Sequence, residues 1–249
     1  MSVKSERKAE KKSIPVWAVP LLVVGGFFVA IYLSDRPTMV NGMLSITSDG
    51  QYDTVSRETQ ALLAEPLLRA DSGGELTEED RDRLNKGIPI FRALCDFRPT
   101  EMGPFFVLGK LYENLGMPAE AEEVARQSII NGQNRLADAK IKKDVSKELE
   151  TLTLLNESRH VRAQALFDLK QYEESIKEMK TVLLFGKPRQ EDLPRYLYTT
   201  ARSLTEYRDP KTGTRDIGAA KAALKDALKI DPNFARAKSL QKFLESSGS

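Results

Sequence analysis

The chain has 249 residues, a net charge of +2 and a single histidine. Its length suffices for one domain with a substantial core, and its near-neutral charge excludes the strongly basic class of nucleic-acid-binding proteins. Its only cysteine, Cys95, excludes an intrachain disulfide and a thiolate metal cluster. We expect Cys95 to be a small, buried core residue, because it lies within an apolar helical pattern.

Residues 1–15 form a basic tail with five positive and two negative side chains, so they carry +3 and leave about −1 on the remainder. The next eighteen residues, 16–33, contain no charged side chain. As a helix they would span about 27 Å, close to the hydrocarbon core of about 30 Å. We therefore predict a transmembrane helix over 16–33. The excess of Lys and Arg before it predicts a cytoplasmic tail and an extracytoplasmic chain from about Ser34 onward.

Two other interpretations of residues 16–33 stay open at this point. A cleaved signal peptide needs small residues at alternating positions after the apolar stretch, but Ala30 is followed by Ile31, Tyr32 and Leu33. A buried core helix is the second alternative, although the segment is apolar on every side and adjoins a charged tail. The sequence favours an uncleaved anchor over both.

The segment after the predicted span, residues 34–52, is punctuated by Gly, Pro, Asn and Asp, which predicts a linker. Helical periodicity begins at Asp53, and residues 53–84 are predicted to form N-terminal helices, the first of them disrupted at Pro66. Thr77 followed by three acids predicts a capped helix start. Strand signals are nearly absent, so we predict an all-α fold.

Residues 85–245 contain a repeated spacing of aromatic, small and turn residues. Its clearest copy is Phe105, Leu108, Gly109, Tyr112, Gly116, Ala121, Ala125 and Ser128. Gly109 and Ala121 let paired helices approach closely, Gly116 suits a positive φ at a helix end, and Pro118 suits the start of the next helix. This pattern resembles the tetratricopeptide repeat. The resemblance implies a solenoid of helical hairpins behind the predicted span.

Fainter copies of the same pattern follow along the chain. The second is Ala163, Leu166, Tyr172, Ser175, Met179 and Val182, and the third is Ala201, Leu204, Ala220, Leu224, Ala227 and Pro232. Residues 133–152 are about twenty extra positions, which indicate either a long second helix or an inserted helix. Residues 207–215 form an enlarged polar turn. An amphipathic helix after Pro232 is predicted to cap the open end of the stack.

The sequence offers little for catalysis. His160 is the only histidine, and the neighbouring Arg159 and Arg162 disfavour a bound cation. Phosphate-binding and dinucleotide-binding glycine motifs are absent from the sequence, and acidic pairs such as Glu78-Glu79 lie on predicted exposed faces. We predict that the protein is not an enzyme and uses no cofactor, metal or small-molecule substrate.

Binding to other proteins is what the resemblance implies instead. In tetratricopeptide folds the first helix of each repeat lines an inner face that binds peptides or partner helices. Carried over to this chain, the candidate groove residues are Phe106, Lys110, Glu113, His160, Gln164, Phe167, Arg195, Tyr198 and Arg202. The aromatic residues would anchor apolar side chains and the cations would bind a carboxylate. The Lys/Asn arrangement of carboxylate-clamp members does not occur at these positions.

The layout is similar to bacterial single-span tetratricopeptide proteins that work beside the secretion channel or in the assembly of membrane complexes. It predicts a scaffold or adaptor in the cytoplasmic (inner) membrane, with an extracytoplasmic domain that assists the assembly or secretion of partner proteins. The alternative is a structural accessory subunit of a larger electron-transfer or photosynthetic membrane complex, in which the span itself would contact other subunits.

Overall fold

The computed structural model describes residues 38–40 and 43–246. The predicted tail (1–15) and transmembrane helix (16–33) lie outside these residues. Within the described part, none of the helices combines the length and apolar character needed to cross a bilayer.

The described chain begins with a small antiparallel hairpin of β1 (Thr38–Val40) and β2 (Met43–Ser45). Everything regular after it is helical, so the prediction of an all-α fold is confirmed for these residues apart from the hairpin. The helices are α1 (Asp49–Asp71), α2 (Glu78–Phe97), α3 (Met102–Asn114), α4 (Pro118–Ile141), α5 (Val145–Asp168), α6 (Tyr172–Phe185), α7 (Leu193–Glu206), α8 (Ile217–Ile230) and α9 (Ala235–Ser246).

Consecutive helices pack against each other in antiparallel directions. On α4 and α5, for example, Glu122 pairs with Arg162 near the start of α4, whereas Arg135 pairs with Glu150 near its end. The odd-numbered helices also contact one another and run parallel: Glu157 and Asp168 of α5 bind Arg195 and Arg202 of α7 in the same order. We call α1, α3, α5, α7 and α9 the inner layer and the even-numbered helices the outer layer.

Local signals fix several helix ends where the sequence predicted them. The Thr77 hydroxyl accepts a hydrogen bond from the Asp80 N–H at 3.1 Å, and the Asp80 carboxylate accepts one from the Thr77 N–H at 2.9 Å. This reciprocal pair forms a capping box at the start of α2. At the next turn Gly116 has a φ of 73°, and Pro118 is the first residue of α4.

Two details at the N-terminal end differ from the prediction. Helix α1 begins at Asp49, inside the predicted linker, because the Ser48 side chain caps it by accepting from the Gln51 N–H. The helix also continues through Pro66 to Asp71, so the predicted disruption is wrong. Pro66 and Leu63 are buried in this helix, and we attribute its continuity to packing that offsets the lost backbone hydrogen bond.

The extra residues 133–152 lengthen two helices rather than forming a new one. Helices α4 and α5 each have 24 residues and are joined only by residues 142–144. At Gly132, α4 lies against Leu155 of α5 and against Met102, the first residue of α3. Beyond that level they project past the start of α3 as a two-helix tip.

The core lies between the two layers. Fully buried side chains of α1, α2 and α3, including Leu63, Leu84 and Leu111, form its largest part, and Cys95 is buried beside them as predicted. Burial raises the pKa of the Cys95 thiol to about 12, which makes it a poor nucleophile. At the other end, Leu244 of α9 packs with the smaller cluster formed by α7 and α8.

Candidate functional site

The inner layer encloses a polar cleft of about 220 Å³. All five inner elements contribute to its lining, from the end of α1 to the start of α9. The lining residues are Ala70, Asp71, Glu113, Asn114, His160, Gln164, Asp168, Arg195, Tyr198, Thr199, Phe234 and Arg236. We call this site the inner cleft.

The two ends of the helical stack approach each other at the inner cleft. The Arg236 guanidinium lies beside Gly73, with atoms 3.0–3.3 Å from the position that a β-carbon would occupy there. Gly73 has a φ of 81° and follows the last turn of α1, whereas Arg236 lies in the first turn of α9. The stack is therefore curved enough for its first and last helices to border the same site.

Five of the nine candidate groove residues line the inner cleft. They are Glu113, His160, Gln164, Arg195 and Tyr198. Lys110 lies behind the lining, where it pairs with two carboxylates. Phe106, Phe167 and Arg202 are not part of the lining. Arg202 instead lies over the Phe167 ring, with its guanidinium carbon 3.6 Å from the ring centroid.

Lys110 and Glu113 form a buried charged pair at the α3 wall. The Lys110 ammonium lies 2.6 Å from an Asp71 carboxylate oxygen and 3.4 Å from Glu113 Oε2. Glu113 Oε1 accepts a 2.7 Å hydrogen bond from Gln164, but Oε2 has no hydrogen-bond partner in the described structure. Burial raises the pKa of Glu113, and the Lys110 charge opposes this shift. These side chains connect α1, α3 and α5 across the cleft floor.

His160 is held as a neutral ring at the α5 wall. Its Nε2 lies 2.9 Å from the Thr199 hydroxyl oxygen, which itself donates to the Arg195 carbonyl at 3.0 Å. When the single hydroxyl proton is given to the Arg195 carbonyl, His160 Nε2–H is the donor to Thr199. Burial, together with the charges of Arg195, Lys110 and Arg236, lowers the pKa of His160 well below its ordinary value.

Arg195 is committed to bonds within the fold. It pairs with the Glu157 carboxylate, which also accepts a 2.7 Å hydrogen bond from the Tyr196 hydroxyl, and with Asp192 at 2.8 Å. Arg236 differs from it, because the described residues provide no ion-pair partner for its guanidinium. This exposed cation lies at the cleft beside an edge-to-face pair of Tyr198 and Phe234 rings, whose centroids are 5.4 Å apart.

The sequence did not indicate the contributions of α1 and α9 to the cleft. Asp71, Phe234 and Arg236 belong to the two ends of the stack, and the predicted groove used only the central repeats. Their convergence depends on the summed crossing angles of many helices, for which no local sequence signal exists. The polar turn after Asp71 indicates the end of α1, and Phe234 lies just before α9. Neither feature predicts that these two ends lie close together.

Other features of the described structure do not define a stronger site. Three larger depressions, of about 650, 520 and 330 Å³, lie below the polar turn 207–216, between α2 and α4, and between the start of α7 and the end of α8. The third of them shares Arg195 and Phe234 with the inner cleft. Among the described residues, no group of three or more His, Cys, Asp or Glu side chains is placed to hold a metal ion. No family model matches the chain, and no curated protein or solved structure matches it.

Proposed function

We propose that the protein is a membrane-anchored, tetratricopeptide-like scaffold that binds a segment of a partner protein in the inner cleft. Residues 16–33 would hold it in the cytoplasmic membrane, with the helical domain on the extracytoplasmic side. The repeat pattern of the sequence and the two-layered stack of antiparallel helices support this proposal. Its role would be to assist the assembly or secretion of its partner.

The observation that carries the proposal is the composition of the inner cleft. At about 220 Å³ it is smaller than the ~300–1,000 Å³ typical of small-molecule sites, so it suits one or two side chains of a polypeptide. The Tyr198–Phe234 pair offers an aromatic wall. Arg236, which has no ion-pair partner among the described residues, offers a donor to a carboxylate. The proposed ligand is therefore a short segment with an acidic side chain or a terminal carboxylate next to an apolar residue.

The experiment is affinity purification of the full-length chain in mild detergent, with quantitative mass spectrometry of the proteins that it retains. Arg236→Glu should reduce the dominant partner at least tenfold, because it places a repelling charge at the carboxylate site. Lys238→Glu is the matched control, since Lys238 is exposed on the same helix but does not line the cleft. Equal retention by both variants would refute the cleft as the binding site.

A second pair of variants distinguishes binding in the inner cleft from binding in the groove that the sequence predicted. Replacing Tyr198 with Ala should also weaken partner retention, because it removes one ring of the aromatic wall. Replacing Phe106 with Ala should leave retention unchanged, because Phe106 does not line the inner cleft. Circular dichroism and thermal unfolding of each variant would show whether a loss of binding reflects a loss of fold.

A further inference from the structure

One edge of the domain gathers the start of α1, the end of α2 and the start of α3. Arg98, just after α2, pairs with Asp49 at 2.7 Å, and the Tyr52 hydroxyl donates to the Glu101 carboxylate at 2.7 Å. Strand β2 also lies against α2. We call this side of the molecule the N-terminal edge, because the chain enters the described domain here.

The two-helix tip projects from this same edge. Gly132 of α4 lies at the level of Met102, the first residue of α3. The remaining residues of α4, 133–141, extend about 14 Å further at 1.5 Å per residue. The tip and the start of α1 therefore lie on the same side of the domain.

Large apolar side chains are exposed on the tip. Ile141, Val145 and Leu149 are 79 %, 75 % and 60 % exposed. Leu184 and Phe185, at the end of α6, are exposed to more than 70 % as well. They belong to the same side, because the Asn156 side chain of α5 donates to the Gly186 carbonyl just after α6. Together these five residues form what we call the tip surface.

Lysines accompany the apolar residues of the tip surface. They are Lys140, Lys142, Lys143, Lys147 and Lys187, and none has an ion-pair partner among the described residues. Of the nearby acids, Asp144 caps α5 by accepting from the Lys147 N–H, and Glu150 binds Arg135. Asp138 and Glu148 are the remaining carboxylates on the tip. Five lysines thus stand against four carboxylates around the exposed apolar side chains of the tip surface.

We propose that the tip surface rests on the headgroup region of a bilayer that contains anionic lipids. Exposed apolar side chains flanked by lysines suit this boundary, where the apolar groups enter the interface and the ammonium groups meet lipid phosphates. A second copy of the chain fits less well, because a self-complementary contact would bring the two lysine groups together. The inference rests on the proposed function, which places the domain at the membrane.

The length of the connecting chain supports this occupant. Only residues 34–37 separate the predicted span from β1, and four residues reach at most about 14 Å. The N-terminal edge must then stay near the bilayer, at a distance that the tip can cover. The domain would have two membrane contacts on one side, the anchor and the tip surface.

The test places a fluorescent probe on the full-length chain in lipid vesicles. In a Cys95→Ala background, Val145→Cys carries an environment-sensitive label on the tip. Glu120→Cys carries the same label as the matched control, because Glu120 is exposed at the opposite end of the same two-helix hairpin. Vesicles are made of phosphatidylcholine alone or with phosphatidylglycerol, and brominated lipids serve as quenchers.

The Val145→Cys probe should shift to the blue and be quenched by brominated lipid in anionic vesicles, and less so in phosphatidylcholine alone. The Glu120→Cys probe should stay in water in both. Replacing Lys140, Lys142 and Lys143 with Glu should at least halve the quenching at Val145→Cys. Equal quenching of the two probes would overturn the inference, as would a blue shift that grows with protein concentration without vesicles, since that result indicates self-association.

Flotation of the same samples separates the two proposals. If the chain floats with the vesicles but the Val145→Cys probe stays in water, only the tip inference fails. If the chain does not float with vesicles of either composition, the proposed anchor fails and the tip inference fails with it. If it floats and the probe enters the interface, both stand.

Discussion

At the scale of single residues, His160 combines features that a sequence pattern does not reveal. Arg159 and Arg162 lie close to it in sequence, but its contacts in the fold are the Thr199 hydroxyl and, in an edge-to-face arrangement, the Tyr196 ring, 5.1 Å between centroids. A neutral imidazole donates one hydrogen bond and packs on an aromatic ring without the cost of a buried charge. His160 therefore lines the cleft wall and also stabilises the packing of α5 against α7.

The lowered pKa of His160 predicts a pH dependence of stability. In the unfolded chain its pKa is about 6.5, whereas in the fold burial and neighbouring cations hold it well below that. Between the two values only the unfolded chain binds the proton, so the free energy of unfolding should decrease below pH ~6.5, by up to about 1.4 kcal/mol per pH unit. Above this range the contribution is constant.

Urea unfolding of the wild-type chain and of His160→Gln between pH 5 and 7.5 measures this effect. The difference in unfolding free energy should grow in favour of the wild type as the pH rises to about 6.5 and then level off. Glu113 has a raised pKa and contributes the opposite slope, but it is present in both chains and largely cancels. Parallel stability curves would contradict the assignment of a neutral His160.

The sequence predicted some of the residues that line the inner cleft and not others. Glu113, His160 and Gln164, which the tetratricopeptide resemblance implied for the groove, line the inner cleft. Residues three or four positions apart share one face of a helix, which allows such a set to be chosen from the sequence. Phe167 was expected in the groove, but it packs with Tyr172 and Arg202 instead. Helix periodicity predicts which side of a helix a residue faces, but it does not predict which neighbouring side chain will cover that residue.

At the scale of elements, the close approach of helices depends on a few small residues. At Gly132 a β-carbon would lie 2.7 Å from Met102 Cε and 2.8 Å from Leu155 Cγ and Cδ2. At Gly109 the nearest atoms would be the Val124 and Val161 methyl groups at 3.4 Å. The tighter of these two helix crossings is therefore the one at the base of the two-helix tip, where α3, α4 and α5 meet.

Replacing each glycine with alanine tests this difference. Gly132→Ala should lower the free energy of unfolding by about 1–3 kcal/mol, because Met102 and Leu155 must move to accept the methyl group. Gly109→Ala should be neutral or stabilise by up to about 1 kcal/mol, since alanine favours the helix and space exists. Chemical denaturation measures both. A larger loss at Gly109 would show that the assigned packing is incorrect.

Element boundaries followed the sequence where a local hydrogen bond or backbone angle determines them. The cap at Thr77 and the positive φ at Gly116 are such cases, and both were predicted. The reciprocal bond from Thr77 N–H to Asp80 was not part of the prediction. The continuation of α1 through Pro66 was not, because tertiary packing overrode a local preference. The division of residues 133–152 between α4 and α5 stayed open for a related reason, since a short turn at 142–144 carries neither Gly nor Pro.

At the scale of the whole molecule, the core of the described residues consists of separate clusters, one at each end of the stack and two between them. The N-terminal cluster includes Leu84, whereas the C-terminal cluster includes Leu244 of α9 with Leu224 of α8. In a stack where each element contacts mainly its neighbours, a lost contact acts locally. The two ends should therefore respond separately to mutation even though they approach each other at the cleft.

Hydrogen exchange of Leu244→Ala and Leu84→Ala tests this separation. Each change removes a buried side chain, 4 % and 0 % exposed respectively, and should cost about 2–5 kcal/mol in the affected part. Leu244→Ala should accelerate amide exchange mainly in α8 and α9, and Leu84→Ala mainly in α1–α3. A uniform acceleration throughout the described helices in both variants would show that the stack unfolds as one cooperative unit.

The meeting of Arg236 with the turn after α1 has a consequence for biosynthesis. The inner cleft takes one wall from α1 and another from α9, so it does not exist until the ribosome has made residue 236 and the stack has curved. The proposed membrane span emerges more than two hundred residues earlier. Under the proposed function, a growing chain would thus reach the membrane long before its inner cleft could bind a partner. A chain truncated before α9 would then be anchored but would lack the proposed binding site.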